Sequence, residues 1–172
     1  CRPDTVTGAQ KAWWDANGTE HSDVKLPSTQ AGVQRSAGML ASRGVQFIVH
    51  AVGPIWTDYP IKQSTFRIVL PLIQQTVTRA LNAAARVGAR SCAVPAISGG
   101  IFTHWKEGSD IKEREQQAAR EAVVRAVFEW ADQNQGAALT SLSLCDVPGK
   151  QGGIKTFVEA FDSVLGARER ER

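Results

Sequence analysis

Cysteine is scarce in this sequence: Cys1, Cys92 and Cys145 are odd in number, widely spaced and without a C-x-x-C pair. Such a set excludes a disulfide framework and fits a reducing compartment, with Cys92 and Cys145 expected as buried thiols. Long apolar runs are missing as well. None approaches the roughly 18 to 20 residues that cross a bilayer, and the N-terminus lacks a basic-then-apolar signal pattern, so no membrane partner is expected and cytosol or nucleus is the default location. There is no stripe of one charge sign either. The 20 basic and 17 acidic residues, net +3, are interspersed, which argues against nucleic acid as a partner. Even in the tail, Arg168, Arg170 and Arg172 alternate with glutamates that nearly cancel them. Three dispersed histidines argue against a metal site. The Walker A lysine spacing, the G-x-S-x-G elbow and the H-E-x-x-H pair are all absent, so the common hydrolase signatures are excluded and no cofactor is expected.

What is present is a chain of 172 residues, 42% hydrophobic and 22% charged, the composition of one ordinary domain with one core. It opens at Cys1 without a methionine, as a processed chain or a piece of a longer one would. VQFIVHAV, residues 45 to 52, is apolar on both faces and is followed by a Gly-Pro turn, which predicts a central strand. Phe66, Leu70, Ile73, Val77, Leu81 and Ala84 recur at three- and four-residue spacing and predict a helix that Gly88 closes and Pro71 kinks or delays. SCAVPAIS, residues 91 to 98, is a second strand. A charged interval from 103 to 115 then leads into an Ala-rich helix through Trp130, ending near Gly136. LTSLSLCDV is a third strand, and Ile154, Phe157, Val158, Phe161 and Leu165 predict a last amphipathic helix. Strand and helix alternate, so the fold class is α/β with parallel strands. Residues 1 to 44 read differently, with a short helix over 9 to 16 and a polar stretch through Gln34; the core spans 45 to 166 and a charged tail 167 to 172.

AVPAISGGIF, residues 93 to 102, places Ser98, Gly99 and Gly100 at the carboxyl end of the second strand. Ligands of open α/β sheets bind there, and glycines let an anion approach the main chain closely. Ser98 could add a hydroxyl donor, while Ile101 and Phe102 could shield the site or lie against a sugar. Taken alone, a plain tight turn is the simpler reading.

Taken in order, VQFIVHAVGPIW, the helix, SCAVPAISGGIF, the Ala-rich helix and LTSLSLCDV resemble the macrodomain family over residues 28 to 165. The resemblance implies a three-layer α/β/α fold with a mixed central sheet and binding of ADP-ribose or ADP-ribosylated proteins. It implies that the amides of Gly99, Gly100 and Ile101 hold the diphosphate, with Ser98 at the mouth and Phe102 near a ribose. Asp146 and Val147, at the end of the third strand, are second-rank candidates for the adenosine half; Asp146 could equally cap the next turn. Hydrolysis of mono-ADP-ribose linked to proteins, or of related esters, is the further activity implied, with no catalytic residue assigned.

The departures from the family are equally specific. Its opening strands, with an adenine-binding aspartate, an Asn-Ala-Ala-Asn segment and a glycine cluster, have no counterpart before residue 45. LNAAAR, residues 81 to 86, lies within a helical stripe and is rejected as that segment. The missing third is expected upstream of Cys1, and the chain alone is expected to fold poorly. The insertion after Phe102, carrying His104 and Lys106, is expected as a solvated surface loop. His50 is expected as a hydrogen-bonded core histidine. Trp13 and Trp14 are left out of the site, one of them being expected in the core. The competing reading is a degenerate macrodomain fold serving as an interaction or structural module; RNA binding through the tail is a third.

Overall fold

A computed structural model describes residues 12–14, 20–22, 26–100, 102–104, 109–146 and 153–171. Among the described residues six strands, β1 (Ala12–Trp14), β2 (Glu20–Ser22), β3 (Ala31–Arg35), β4 (Phe47–Ala51), β5 (Ser91–Pro95) and β6 (Ser141–Cys145), accompany four helices. These are α1 (Gly38–Ser42), α2 (Gln63–Arg86), α3 (Ser109–Gln133) and α4 (Gly153–Arg170), with a 3-10 turn at Trp56–Asp58. From β4 onward the alternation of strand and helix is the one the sequence predicts. The strands fall into two sets: β2-β1-β3-β4, antiparallel, and β5-β6, parallel.

Helix α2 forms because Val69, Ile73, Val77, Leu81 and Ala84 stack on one face and are fully or almost fully buried. It starts at Gln63 and runs through Pro71, an exposed position, so the proline neither delays nor ends it. Gly88, at φ +72°, closes the helix, its N–H donating to the Ala85 carbonyl. Helix α3 begins at Ser109, so half of the expected charged loop is helical. It buries Ala119, Ala122, Val123, Ala126 and Trp130 against α2. Among polar ties, Trp130 Nε1 donates to Asn82 Oδ1 at 2.7 Å, which links α3 to an exposed residue of α2.

Several expectations are corrected. Residues 12–14 form a strand, not a helix; the remainder of 9–16 and the Trp13 and Trp14 side chains lie outside the described residues. The polar stretch through Gln34 contains β3, whose Ala31 and Val33 are buried; alternation over so short a segment is a weak signal. Strand β4 is not central. It ends its set, and none of its five residues is fully buried. His50 does face the side of Ile48 and Val52, but His50 and Val52 are exposed and Ile48 is only half-buried, and the His50 Nε2 meets Gln34 Oε1 at 3.0 Å. Cys145 is exposed and Cys92 half-buried; burial, then the neighbouring Cys145, pushes the Cys92 thiol pKa up. On α4 the inward residues are Phe157, Ala160 and Val164, so Val158, Phe161 and Leu165 are exposed. That helix continues through the charged tail to Arg170, where Arg168 pairs with Asp132 and lies 4.8 Å from the Phe128 ring centroid. Among the described residues no helix is long and apolar enough to cross a membrane, and no His, Cys, Asp and Glu side chains cluster as a metal site.

Candidate functional site

The loop after β5 is held from the segment after β4, and Trp56 is the main holder. Its indole Nε1 donates to the Ser98 carbonyl at 3.1 Å while its backbone N–H donates to the Phe102 carbonyl at 2.9 Å, so one buried residue grips both ends of the loop. Ser98 Oγ donates to the Pro54 carbonyl at 2.6 Å. The chains touch because Gly53 has no side chain: a Cβ there would come under 3.0 Å from the Ser98 hydroxyl and the Ile97 side chain. The Gly-Pro-Ile-Trp stretch, read in sequence only as a turn, is thus the seat of the loop.

Within the loop the expected residues divide. Ser98 is buried and takes the left-handed conformation, φ 58°, that the sequence suggests for the glycines. With its hydroxyl proton engaged by Pro54, Ser98 offers the site its backbone instead. Gly99 is buried, its N–H donates to the Ala96 carbonyl at 3.0 Å, and a Cβ there would press on Ala96 at 3.2 Å. Gly100 is exposed, nothing lies within 4 Å of where its Cβ would be, and among the described residues no acceptor meets its N–H. Phe102 presents an exposed ring beside it. Ile101 lies outside the described residues.

Of the insertion expected as a solvated loop, the described residues Thr103 and His104 are not solvated, and 105–108 lie outside the described residues. Thr103 and His104 are buried; the Thr103 hydroxyl donates to the Gly100 carbonyl at 2.9 Å. The His104 N–H donates to Glu115 Oε2 at 2.8 Å and its Nδ1 meets Glu115 Oε1 at 2.6 Å. Its Nε2 lies 3.1 Å from the Tyr59 carbonyl, an oxygen that only accepts, so Nε2 carries a proton. Glu115, on the first turns of α3, is itself buried, and its two oxygens anchor the loop to that helix. A charged residue surrounded by charged neighbours in sequence carries no signal of such burial. Lys106 lies outside the described residues.

Asp146, the residue after β6, is held in an ion pair: Arg120 Nε and Nη2 donate to its Oδ2 at 3.0 and 2.7 Å, and the Arg120 guanidinium lies 6.0 Å from the Phe157 ring centroid. Asp146 thereby ties β6 to α3, and Val147 lies outside the described residues. A surface groove lined by Arg125, Glu129, Asp132, Val164, Arg168 and Glu171 sits between α3 and α4; its mixed charges favour no ligand of one sign.

The loop therefore offers an accessible main-chain donor beside an aromatic ring, on a rigid base at the carboxyl end of a parallel strand. The family model described as Macro domain matches residues 28–111. The human protein mono-ADP-ribosyltransferase PARP14 is 30% identical over 121 residues, 70% of this chain. The chain spans 6% of that protein's length.

Proposed function

Since the chain belongs to the macrodomain family, we propose that it binds ADP-ribose, free or attached to protein, through the loop of residues 98–102. The supporting observation is the double grip of Trp56 on that loop, which leaves the Gly100 backbone open to an anion while the surrounding loop is fixed. A backbone donor fixed before the ligand arrives costs little to order on binding, which is how such loops hold phosphates. Phe102 supplies an apolar surface for a ribose. Asp146, already neutralised by Arg120, would meet the adenosine half as a hydrogen-bond acceptor.

Binding is proposed ahead of hydrolysis because His104, the described base beside the loop, has both ring nitrogens engaged by Glu115 and Tyr59. Isothermal titration of ADP-ribose into the chain and into Gly100→Glu tests the reading. A carboxylate there repels the diphosphate without pressing on any neighbour. We expect at least about tenfold weaker binding, on the order of 1.4 kcal/mol, with an unchanged melting temperature. Equal affinity in the two proteins would remove the loop from the site, and no heat in either would leave the interaction-module reading. Release of ADP-ribose from a mono-ADP-ribosylated protein, followed in the same preparation, tests hydrolysis.

A further inference from the structure

Charge is nearly balanced over the whole chain but not over its parts. Residues 24–106 hold nine of the 20 basic residues and one of the 17 acids, Asp58. In the fold this stretch supplies β3, α1, β4, α2 and β5. Strands β4 and β5 point the same way, because the segments that follow them are joined by the Trp56 and Ser98 hydrogen bonds. Asp58 lies at that carboxyl end, in the turn after β4. The 24 residues of α2, about 36 Å of helix, return the chain to the amino ends of the strands, where this stretch places no acid.

Three arginines gather at the amino end. Arg35 pairs in register with Phe47, the first residue of β4, and its guanidinium lies 5.6 Å from the Phe47 ring centroid. Arg43 belongs to the connection that enters β4, and Arg90 immediately precedes β5. All three are exposed, and none pairs with a carboxylate among the described residues.

Between β3 and β4 the chain projects. Every residue from Ala37 to Gln46 is exposed, Met39 at 68% and Leu40 at 45%. The short helix α1 folds the projection back on itself. The Arg43 N–H donates to the Met39 and Leu40 carbonyls at 3.2 and 3.1 Å, the Gly44 N–H to the Ala41 carbonyl at 3.0 Å and the Val45 N–H to the Leu40 carbonyl at 3.1 Å. The Ser42 hydroxyl donates to the Met39 carbonyl at 2.9 Å. The carbonyls of the tip are therefore satisfied from within, as apolar surroundings demand of a backbone, while its side chains are the apolar Met39 and Leu40.

We propose that this end of the protein docks on an anionic lipid surface, with Met39 and Leu40 entering below the headgroups and Arg35, Arg43 and Arg90 meeting the lipid phosphates. Arginine stems lie along apolar surface while the guanidinium stays at the phosphate level. The three arginines stand around a projecting tip and come from separate parts of the chain, so a plane of negative charge meets them together. A nucleic acid strand would leave Met39 and Leu40 without a use, and Phe47 beside them is half-buried and already faces Arg35 rather than a base. A surface contact needs no spanning segment, so the lack of long apolar runs does not oppose it. The loop of residues 98–102 lies at the other end and stays open in the docked protein; the inference does not depend on its ligand.

Flotation of the 172-residue chain tests it, with vesicles of phosphatidylcholine alone and vesicles of equal parts phosphatidylcholine and phosphatidylserine. Binding should be at least about tenfold stronger to the anionic vesicles and should weaken as salt is added. Met39→Ser combined with Leu40→Ser should weaken it at least about tenfold, with an unchanged melting temperature because both side chains are exposed. Arg43→Glu should weaken it at least about tenfold as well, whereas Arg67→Glu, the same change of charge near the exposed start of α2 at the other end, should not. Equal binding to the two vesicles, or to neither, would overturn the proposal. So would full binding by the Met39 and Leu40 variant, or an equal loss in Arg43→Glu and Arg67→Glu, which would mean attraction by net charge alone. Single-stranded RNA that displaces the vesicles and binds the Met39 and Leu40 variant undiminished would assign this end to nucleic acid instead.

Discussion

At Gly53 a missing side chain decides whether two segments can meet, since the Ser98 hydroxyl and Ile97 occupy the space a Cβ would need. Gly53→Ala should cost about 1–3 kcal/mol in urea unfolding, the usual range for overpacking, because the loop that must give way is held by Pro54 and Trp56. Gly100 has the opposite character, with nothing within 4 Å of where its Cβ would lie, and its substitution should be felt in ligand affinity alone. Glu115 shows how a residue remote in sequence shapes the same loop. Replacing it by Ala strands the buried His104 N–H and leaves the imidazole with one partner. A loss of about 1–3 kcal/mol is expected, the cost of unsatisfied buried donors, and Glu115→Gln should recover part of it because an amide oxygen can still accept from the His104 backbone. None of these roles is written in local sequence: a glycine before a proline and a glutamate in a charged run look ordinary.

Among the elements, α2 is the one most fully determined by its own residues. Its apolar spacing, its stop at Gly88 and its burial agree with one another. Gly88→Ala should lower stability by about 1 kcal/mol, read as a fall in melting temperature, because φ +72° is a conformation that a residue with a Cβ adopts only at a cost. Helix α4 shows where periodicity misleads. Phe157, Val158, Phe161 and Leu165 fit a helical stripe, yet the face turned inward is Phe157, Ala160 and Val164. A small alanine allows close approach to α3, and Phe161 finds a half-open place against Phe128 at 5.2 Å between ring centroids. Hydrophobicity alone cannot rank two overlapping faces; the shape of the neighbouring helix does.

For the whole molecule, the single cluster that joins both strand sets to three helices implies one cooperative unit. Unfolding midpoints from far-UV circular dichroism and from tryptophan fluorescence should coincide. Phe157→Leu, at the α4 end of the cluster, should lower both equally, by about 1 kcal/mol; separate transitions would show that β3 and β4 unfold apart from β5 and β6. The sequence by itself determined the α/β alternation from β4 onward, the stripe of α2, the strand-end position of the glycine pair and the resemblance to macrodomains. Each of these rests on local chemistry: spacing of apolar residues, backbone freedom, turn residues. Only the tertiary structure decided that apolar β4 stands at an edge, that His50 is exposed and His104 buried, and that Trp56 seats the loop. Those outcomes depend on which surfaces meet across 40 or more residues, as between Trp56 and Ser98. No window of the chain encodes such a meeting, because burial belongs to the packed whole.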